Sequence, residues 1–122
     1  MSPAREITFY VTDAGRVPVV EFLETIRVRS VRARITRVFA MVEQLPQPPP
    51  IFLKKLSGRD DLWEVRALTS QQSFRFLGWY DGPGKLVLAT AFAKQTAKTP
   101  LQEIEVARQR RLMYFTGQRQ LL

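Results

Sequence analysis

Residues 62–107 decide the fold of this chain, and they read LWEVRALTSQQSFRFLGWYDGPGKLVLATAFAKQTAKTPLQEIEVA. Three segments of this stretch, 62–68, 73–80 and 85–92, have the apolar and β-branched character of strands. The sequence DGPG at 81–84, between the last two segments, predicts a hairpin turn. The stretch therefore predicts an antiparallel meander of three strands.

Positive charges interrupt these predicted strands. Arg66, Arg75 and Lys94 each lie within or just after a strand-like segment, where a charged side chain must reach solvent or serve a site. If the three cations converged on one face of the sheet, they would form an anion-binding surface. We therefore treat them as the first candidates for a functional site.

Side-chain alternation assigns the two faces of the first predicted strand. Val65 and Ala67 fall on the side expected to face the core, whereas Glu64 and Arg66 fall on the other side. Arg75, on the neighbouring strand, is expected to share the face of Arg66. This arrangement would place a carboxylate beside two guanidinium groups.

The residues before the meander predict a strand and a helical hairpin. Residues 7–11 (ITFYV) are β-branched and aromatic and predict a short strand. Apolar residues at helical spacing predict one helix over 19–27 and a longer one, capped by Ser30, that runs to about residue 45. The proline-rich segment 46–50 fits neither a helix nor a central strand and predicts a stiff connection.

A helix is predicted from residue 100 to about residue 115. Thr99 would be its N-cap, Pro100 its first residue and Gln102 the capping-box partner, with Gly117 as the stop. The order strand, helix, helix, three strands, helix predicts an α+β domain. In such a domain we expect the helices to cover one face of the sheet and to leave the other partly open.

The composition limits the chemistry available to the chain. At 122 residues, 45% of them hydrophobic and 25% charged, residues 1–122 are expected to form a single globular domain. The chain contains no histidine and no cysteine, which excludes disulfides, thiolate metal sites and a histidine general base. No metal-binding carboxylate cluster and no glycine-rich phosphate loop is recognised in the sequence, so no cofactor and no metal are predicted.

The charge balance favours an anionic partner. The sequence has 19 Lys and Arg against 11 Asp and Glu, a formal net charge of +8. Such an excess in a small domain favours nucleic acid, an acidic protein segment or an anionic membrane as a partner, although a basic surface can also serve solubility alone. No apolar stretch approaches the length of a membrane span and no signal-peptide pattern is present, so a cytoplasmic location is expected.

An ordered set of motifs resembles the RelE/ParE superfamily of type II toxin-antitoxin toxins, most closely its phage-derived, HigB-like branch. The motifs are LWEVR at 62–66 for L-x-E-L-R, FR at 74–75 for Y-R, FAKQT at 92–96 for F-x-K-K-T, and TPLQEIEVA at 99–107 for T-P-x-x-E-I-x-x-A. The helical hairpin and LKKL at 53–56 also fit. The resemblance therefore spans nearly the whole chain.

This resemblance implies a RelE-like fold, an activity and a set of partners. Toxins of this kind present a basic concave face, enter the ribosomal A site and cleave messenger RNA, and a cognate antitoxin with a helix-turn-helix silences them. Arg66, Arg75 and Lys94 match the functional positions of the family. In two places the chain departs from the family pattern. Gln95 replaces the second lysine of the K-K pair, a charge that Lys98 could restore, and Phe74 replaces the usual tyrosine.

The candidate catalytic residues are suited to RNA cleavage by the 2′-hydroxyl of the substrate. Such a reaction needs a proton acceptor, a proton donor for the leaving 5′-oxygen and cations around the phosphate. Arg66 and Arg75 are predicted to clamp the phosphate. Lys94, whose pKa should fall near two arginines, is an acid or base candidate or a simple electrostatic contact. Glu64 is a candidate proton acceptor or, alternatively, a carboxylate that orients a neighbouring arginine.

Further basic residues are candidates for RNA binding. Lys54, Lys55 and Arg59 precede the first meander strand, and Lys98 follows the last one. Non-specific phosphate contacts by these residues would weaken as salt rises, and solvated loops are the alternative interpretation. The five arginines within 27–37 form a separate basic patch, either a ribosomal RNA contact or an exposed helix face.

The leading hypothesis is a ribosome-dependent messenger RNA endonuclease, the toxin of a toxin-antitoxin pair. One alternative is a ParE-like inhibitor that binds DNA gyrase without catalysis. The other is an inactive phage remnant that still binds RNA or antitoxin. The expected partners are the antitoxin, the ribosome and messenger RNA, with no membrane and no metal.

Overall fold

The computed structural model describes residues 3–58, 60–70, 72–94 and 99–117 as one sheet with helices packed against it. The elements in chain order are β1 (Glu6–Phe9), α1 (Pro18–Glu24), α2 (Arg29–Gln44), β2 (Leu53–Lys55), β3 (Trp63–Leu68), β4 (Ser73–Tyr80), β5 (Lys85–Lys94) and α3 (Leu101–Thr116). The strand order is β1-β5-β4-β3-β2, with β1 parallel to β5 and the other pairs antiparallel. The predicted α+β class and the antiparallel meander of β3, β4 and β5 are confirmed.

Helices cover both faces of the sheet, so the expectation that they cover one face is wrong. On the first face, α1 and α2 pack against the strands in a cluster that includes Val19, Ile35, Val38, Val42, Val65, Phe76, Leu86 and Leu88. On the second face, α3 packs over a cluster that includes Tyr10, Leu62, Leu77, Trp79, Val87, Ala89, Ala107 and Tyr114.

The central strand β4 explains why both faces need a cover. Its second half, 76–80, does not alternate between apolar and polar side chains, and every position from Ser73 to Trp79 is buried. Phe76 packs against α1 and α2, whereas Leu77 and Trp79 pack beneath α3. A strand that is apolar on both faces is stable only when both faces are covered.

The strand β2 (Leu53–Lys55) was not predicted as a strand. It pairs with β3 over three residues, with Leu53 opposite Val65 and Lys54 opposite Glu64. Its sequence, LKK, carries too few residues for a periodic pattern to be recognised. Leu53 is buried and the two lysines are exposed, which places a short, charged strand at this edge of the sheet.

The predicted cap of the second helix is wrong. The helix α2 begins at Arg29, so Ser30 lies inside its first turn. Val28 occupies the N-cap position and makes no side-chain capping bond. Packing of Ile35, Val38 and Val42 onto the sheet, rather than a cap, therefore stabilises this helix.

The predicted start of the last helix is also wrong, whereas its end is confirmed. Pro100 is the N-cap of α3 and makes no side-chain cap, so Thr99 lies one residue too early to cap the helix. The hydroxyl of Thr99 donates to Glu64 instead. Gly117 ends the helix as predicted, and its N–H donates to the carbonyl of Met113.

A β-bulge interrupts the pairing of β4 with β5. Gly78 lies opposite Leu88, but Leu77 lies opposite Thr90, so Ala89 is an extra residue on β5. The two backbones approach closely here, because a Cβ atom at Gly78 would lie 1.7 Å from the carbonyl oxygen of Val87. Glycine is therefore required at this position.

Candidate active site

Backbone pairing places the predicted cations together on the face of the sheet that α3 covers. Arg66 lies directly opposite Arg75 in the β3–β4 pair, and Ser73 lies opposite Lys94 in the β4–β5 pair. Leu77, two residues beyond Arg75 on β4, packs beneath α3 and identifies this face. Two like charges at directly opposed positions repel each other, so the pair requires a counter-charge.

Glu64 is that counter-charge, and it is fully buried. Its Oε1 atom accepts hydrogen bonds from Arg66 Nε at 2.6 Å and from Arg75 Nη1 at 2.9 Å. Its Oε2 atom accepts a hydrogen bond from the hydroxyl of Thr99 at 2.7 Å. The carboxylate thus connects β3, β4 and Thr99, the residue before the N-cap of α3.

The pKa of Glu64 lies below its ordinary value. Burial raises this pKa, but the hydrogen bonds from Thr99 and Arg66 and the positive charge of Arg75 lower it by more. A carboxylate with a low pKa and both oxygen atoms hydrogen-bonded is a weak proton acceptor. Of the two interpretations of Glu64, this geometry favours the one in which it orients the arginines.

The site is less open than the sequence suggested. The Arg75 side chain is 5% exposed and that of Glu64 0%, whereas that of Arg66 is 21% exposed. The expectation of an open face is therefore wrong for Arg75, which lies on the face of the sheet that α3 covers. Arg66 is the arginine that reaches solvent.

Lys94 is buried next to this cluster. The residue is 7% exposed, and its Nζ atom has no hydrogen-bond partner among the residues that the structure describes. Burial lowers the pKa of Lys94, the charge of Arg75 lowers it further, and the charge of Glu64 opposes both effects. An unpaired, desolvated ammonium gives up its proton more readily than an exposed one, which suits an acid or base.

Two residues that contact the cluster were missed as site residues. Ser73 accepts a hydrogen bond from Arg75 Nε at 2.7 Å, and Thr99 donates to Glu64. The spacing of Ser73, two residues before Arg75 on one strand, could have indicated the first contact. The role of Thr99 could not be read from the sequence, where it resembled a helix cap.

A cleft of about 530 Å³ lies beside the cluster, between β2, β3 and the start of α3. We call it the α3 cleft. The sheet side contributes the predicted RNA-binding residues Lys54 and Lys55 together with Arg66, and the helix side contributes Leu101 and Ile104. Arg66 thus links the buried cluster to an open, basic cleft.

The other predicted RNA-binding residues are not placed. Arg59 and Lys98, as well as Gln95, lie outside the described residues.

The arginines of α2 lie on the opposite side of the sheet from Glu64. Among them, Arg34 donates from Nε to the carbonyl of Leu68 and stacks over the ring of Phe52, which gives it a structural role.

Comparison with models of protein families identifies the family to which the chain belongs. Residues 25–112 match the model of the family described as Phage derived protein Gp49-like (DUF891), and this match covers most of the sequence. The chain belongs to the Gp49-like family. The Gp49-like family is part of the RelE/ParE-like toxin superfamily and is associated with toxin-antitoxin toxins. A search of curated proteins found no significant match.

The matched segment of this Gp49-like protein contains the whole cluster. Glu64, Arg66, Arg75, Lys94 and Thr99 all lie within residues 25–112, whereas β1 and α1 precede the match. Within the described ranges, no group of histidine, cysteine, aspartate or glutamate residues could hold a metal ion. No helix in those ranges is long and apolar enough to cross a membrane.

Replacing Thr99 with valine should destabilise this Gp49-like protein by about 1–3 kcal/mol, because the buried Oε2 atom of Glu64 would lose its hydrogen-bond donor. Urea unfolding measures the effect. Thr116→Val is the matched control, since that hydroxyl donates to a backbone carbonyl on an exposed turn of α3. Equal stability of the Thr99→Val variant and the wild type would contradict the role assigned to Thr99.

Proposed function

We propose that this Gp49-like protein is the toxin of a type II toxin-antitoxin pair and that it cleaves messenger RNA on the ribosome, as toxins of the HigB-like branch do. One observation carries the proposal. Glu64 holds two arginines side by side, with Lys94 next to them, and one of these arginines opens into a basic cleft. A constellation of this kind suits a phosphodiester substrate.

Arg66, Arg75 and Lys94 have different roles in the proposed reaction. Arg66 binds the scissile phosphate, because it is partly exposed and its Nη atoms have no hydrogen-bond partner among the described residues. Arg75 is a positioning residue that, with Glu64, fixes the plane of the Arg66 guanidinium. Lys94, with its lowered pKa, donates a proton to the leaving 5′-oxygen. The 2′-oxygen forms the new bond to phosphorus as the 5′-oxygen leaves.

The proposed reaction needs a partner surface. Glu64 is engaged on both oxygen atoms, so the proton of the 2′-hydroxyl is accepted outside this cluster, by water or by the ribosomal site. Lys94 is also buried, so productive binding must bring the leaving 5′-oxygen within its reach. Both requirements fit an enzyme that acts only when the ribosome positions its substrate.

Translation with purified components tests the proposal. Added protein should stop protein synthesis, and primer extension should show message cut at ribosome-occupied codons but not in ribosome-free message. Intact message together with undiminished protein synthesis would contradict both the ribonuclease and the translation-inhibiting function.

A specific observation favours a second candidate function, a phage remnant that binds RNA or antitoxin without cleaving. Arg75 and Lys94 are both largely shielded from solvent, so the buried part of the cluster could serve stability alone. This candidate predicts that the protein binds RNA but leaves message uncut in the same translation assay. Primer extension therefore separates the two candidates.

An antitoxin partner follows from the association of the Gp49-like family with toxin-antitoxin systems. We propose a small helix-turn-helix protein with an acidic segment, because this chain carries a net charge of +8. Opposite charge accelerates association and helps to select the partner. A cytoplasmic location is part of the same proposal, since ribosomes and the antitoxin act there.

A further inference from the structure

The α3 cleft combines two kinds of surface that a phosphate site alone would not need. Lys54, Lys55 and Arg66 line its sheet side, whereas Leu101 and Ile104 line its helix side. Its volume of about 530 Å³ lies within the range of about 300–1,000 Å³ that small-ligand sites occupy. The cleft is therefore large enough for more than a phosphate ion.

Cationic groups on the sheet side of the cleft are available to a ligand. Lys54 is exposed and forms no ion pair with a described residue. Arg66 uses its Nε atom on Glu64, which leaves its Nη atoms for a further acceptor. Lys55 pairs with Asp61 at 3.1 Å on the surface, an interaction that solvent weakens. This side therefore attracts anions.

Aliphatic side chains form the helix side of the cleft. Leu101, in the first turn of α3, is 80% exposed, and Ile104 lies one turn further along the helix and packs on the core beneath α3. A single exposed leucine is ordinary on a protein surface. Leu101, however, lies beside Ile104 and lines the same cleft as the cations of the sheet side. An apolar surface across from a cationic one suits a ligand with a flat apolar face and an attached anion.

We propose that the α3 cleft binds one nucleotide of the RNA chain beside the scissile phosphate. Lys54 and Arg66 hold its phosphates, and Leu101 and Ile104 contact the face of its base. This inference rests on the proposed function, because it takes the scissile phosphate to lie at Arg66. Aliphatic groups contact the face of a base and do not read its edge, so the subsite accepts any base.

Abasic scanning tests the subsite. The probe is a fluorescein-labelled RNA tetranucleotide in which every residue is 2′-O-methylated, which blocks cleavage, together with variants that lack one base each. Fluorescence anisotropy should show one position at which base removal weakens wild-type binding about fivefold. In Leu101→Ser that difference should disappear. Lys54→Ala should weaken binding of all probes by a similar factor.

Leu112→Ser is the matched control. Leu112 is 58% exposed on the same helix, outside the cleft, so this variant should bind every probe as the wild type does. Because Leu101 and Leu112 are both exposed, neither substitution removes a core contact. A difference between the two variants therefore reports on the cleft rather than on folding.

Three results would overturn the inference. Base removal could have no effect at any position, Leu101→Ser could respond as the wild type does, or the wild type could bind none of the probes. A further binding experiment uses a labelled peptide of alternating glutamate and leucine. If Leu101→Ser bound this peptide more weakly than the wild type does but bound the RNA probes equally well, the cleft would be a protein interface and the inference would be overturned. In each case the translation assay still decides separately whether the protein cleaves message.

Discussion

Replacing Arg66 with alanine should reduce ribosome-dependent cleavage of message by about 100-fold or more. Arg66 is the more exposed arginine of the pair and lines the α3 cleft, so its loss removes the proposed contact with the scissile phosphate. The protein should remain folded, because Glu64 keeps its bonds to Arg75 and Thr99. Quantitative primer extension in a purified translation system measures the rate.

Two further variants make this result specific. Arg66→Lys keeps the charge but loses the planar fork, so it should retain only part of the activity. Arg108→Ala removes an arginine of α3 whose partner is the exposed Glu105, and it should cleave as the wild type does. If Arg66→Ala cleaved message as fast as Arg108→Ala, Arg66 would not be the phosphate-binding residue.

Replacing Glu64 with glutamine should destabilise the fold by about 3–5 kcal/mol, which lowers Tm by about 10–20 °C. The substitution keeps the shape of the side chain but removes the charge that compensates Arg66 and Arg75. The largely buried guanidinium of Arg75 would then lack a counter-charge. Urea and thermal unfolding at pH 7 measure the loss.

The pH dependence of this loss identifies the charge as its cause. The pKa of Glu64 in the folded protein lies below the ordinary value of 4.5, so the unfolded chain takes up the proton first. The stabilisation is therefore complete above about pH 4.5 and is lost as the pH falls through the lower folded-state pKa. The difference between the wild type and Glu64→Gln should accordingly shrink as the solution is acidified.

Glu105→Gln is the matched control for Glu64→Gln. Glu105 also binds an arginine, Arg108, at 2.7 Å, but both side chains are about half exposed. Surface pairs of this kind contribute little, so the midpoint of unfolding at pH 7 should not change detectably. Equal effects of the two substitutions would show that burial does not make the Glu64 cluster special.

Local patterns predicted the elements of this fold better than their arrangement. Apolar stripes identified the helices, and turn residues identified the β4–β5 hairpin, because both signals are carried by neighbouring residues. The covered second face was not predicted, although the apolar run at 76–80, in the second half of β4, contained the signal. β2 escaped prediction because its pairing with β3 depends on a distant segment.

The grouping of Glu64, Arg66 and Arg75 on one face was predictable from the sequence, whereas the burial of that group was not. Alternation along β3 placed Glu64 and Arg66 on one face, and antiparallel pairing added Arg75. Lys94 was selected as a cation just after a strand-like segment, and the resemblance to toxins supported that choice. Burial of Arg75 and Lys94 depends on how distant segments pack over this face, which is a property of the tertiary structure.

The extra residue in β5 decides which side of the sheet Lys94 occupies. Val87 and Ala89 pack beneath α3, and strict alternation would continue with Ala91 and Ala93 on that face. Because the bulge at Ala89 shifts the phase by one residue, Ala91 turns to the other core and Lys94 joins Arg75. If the same residues paired without a bulge, the ammonium group would instead enter the core beneath α1 and α2. The extra residue in β5 therefore brings Lys94 to the face that carries Glu64 and Arg75. The absence of a side chain at Gly78 lets the two backbones approach closely at this bulge.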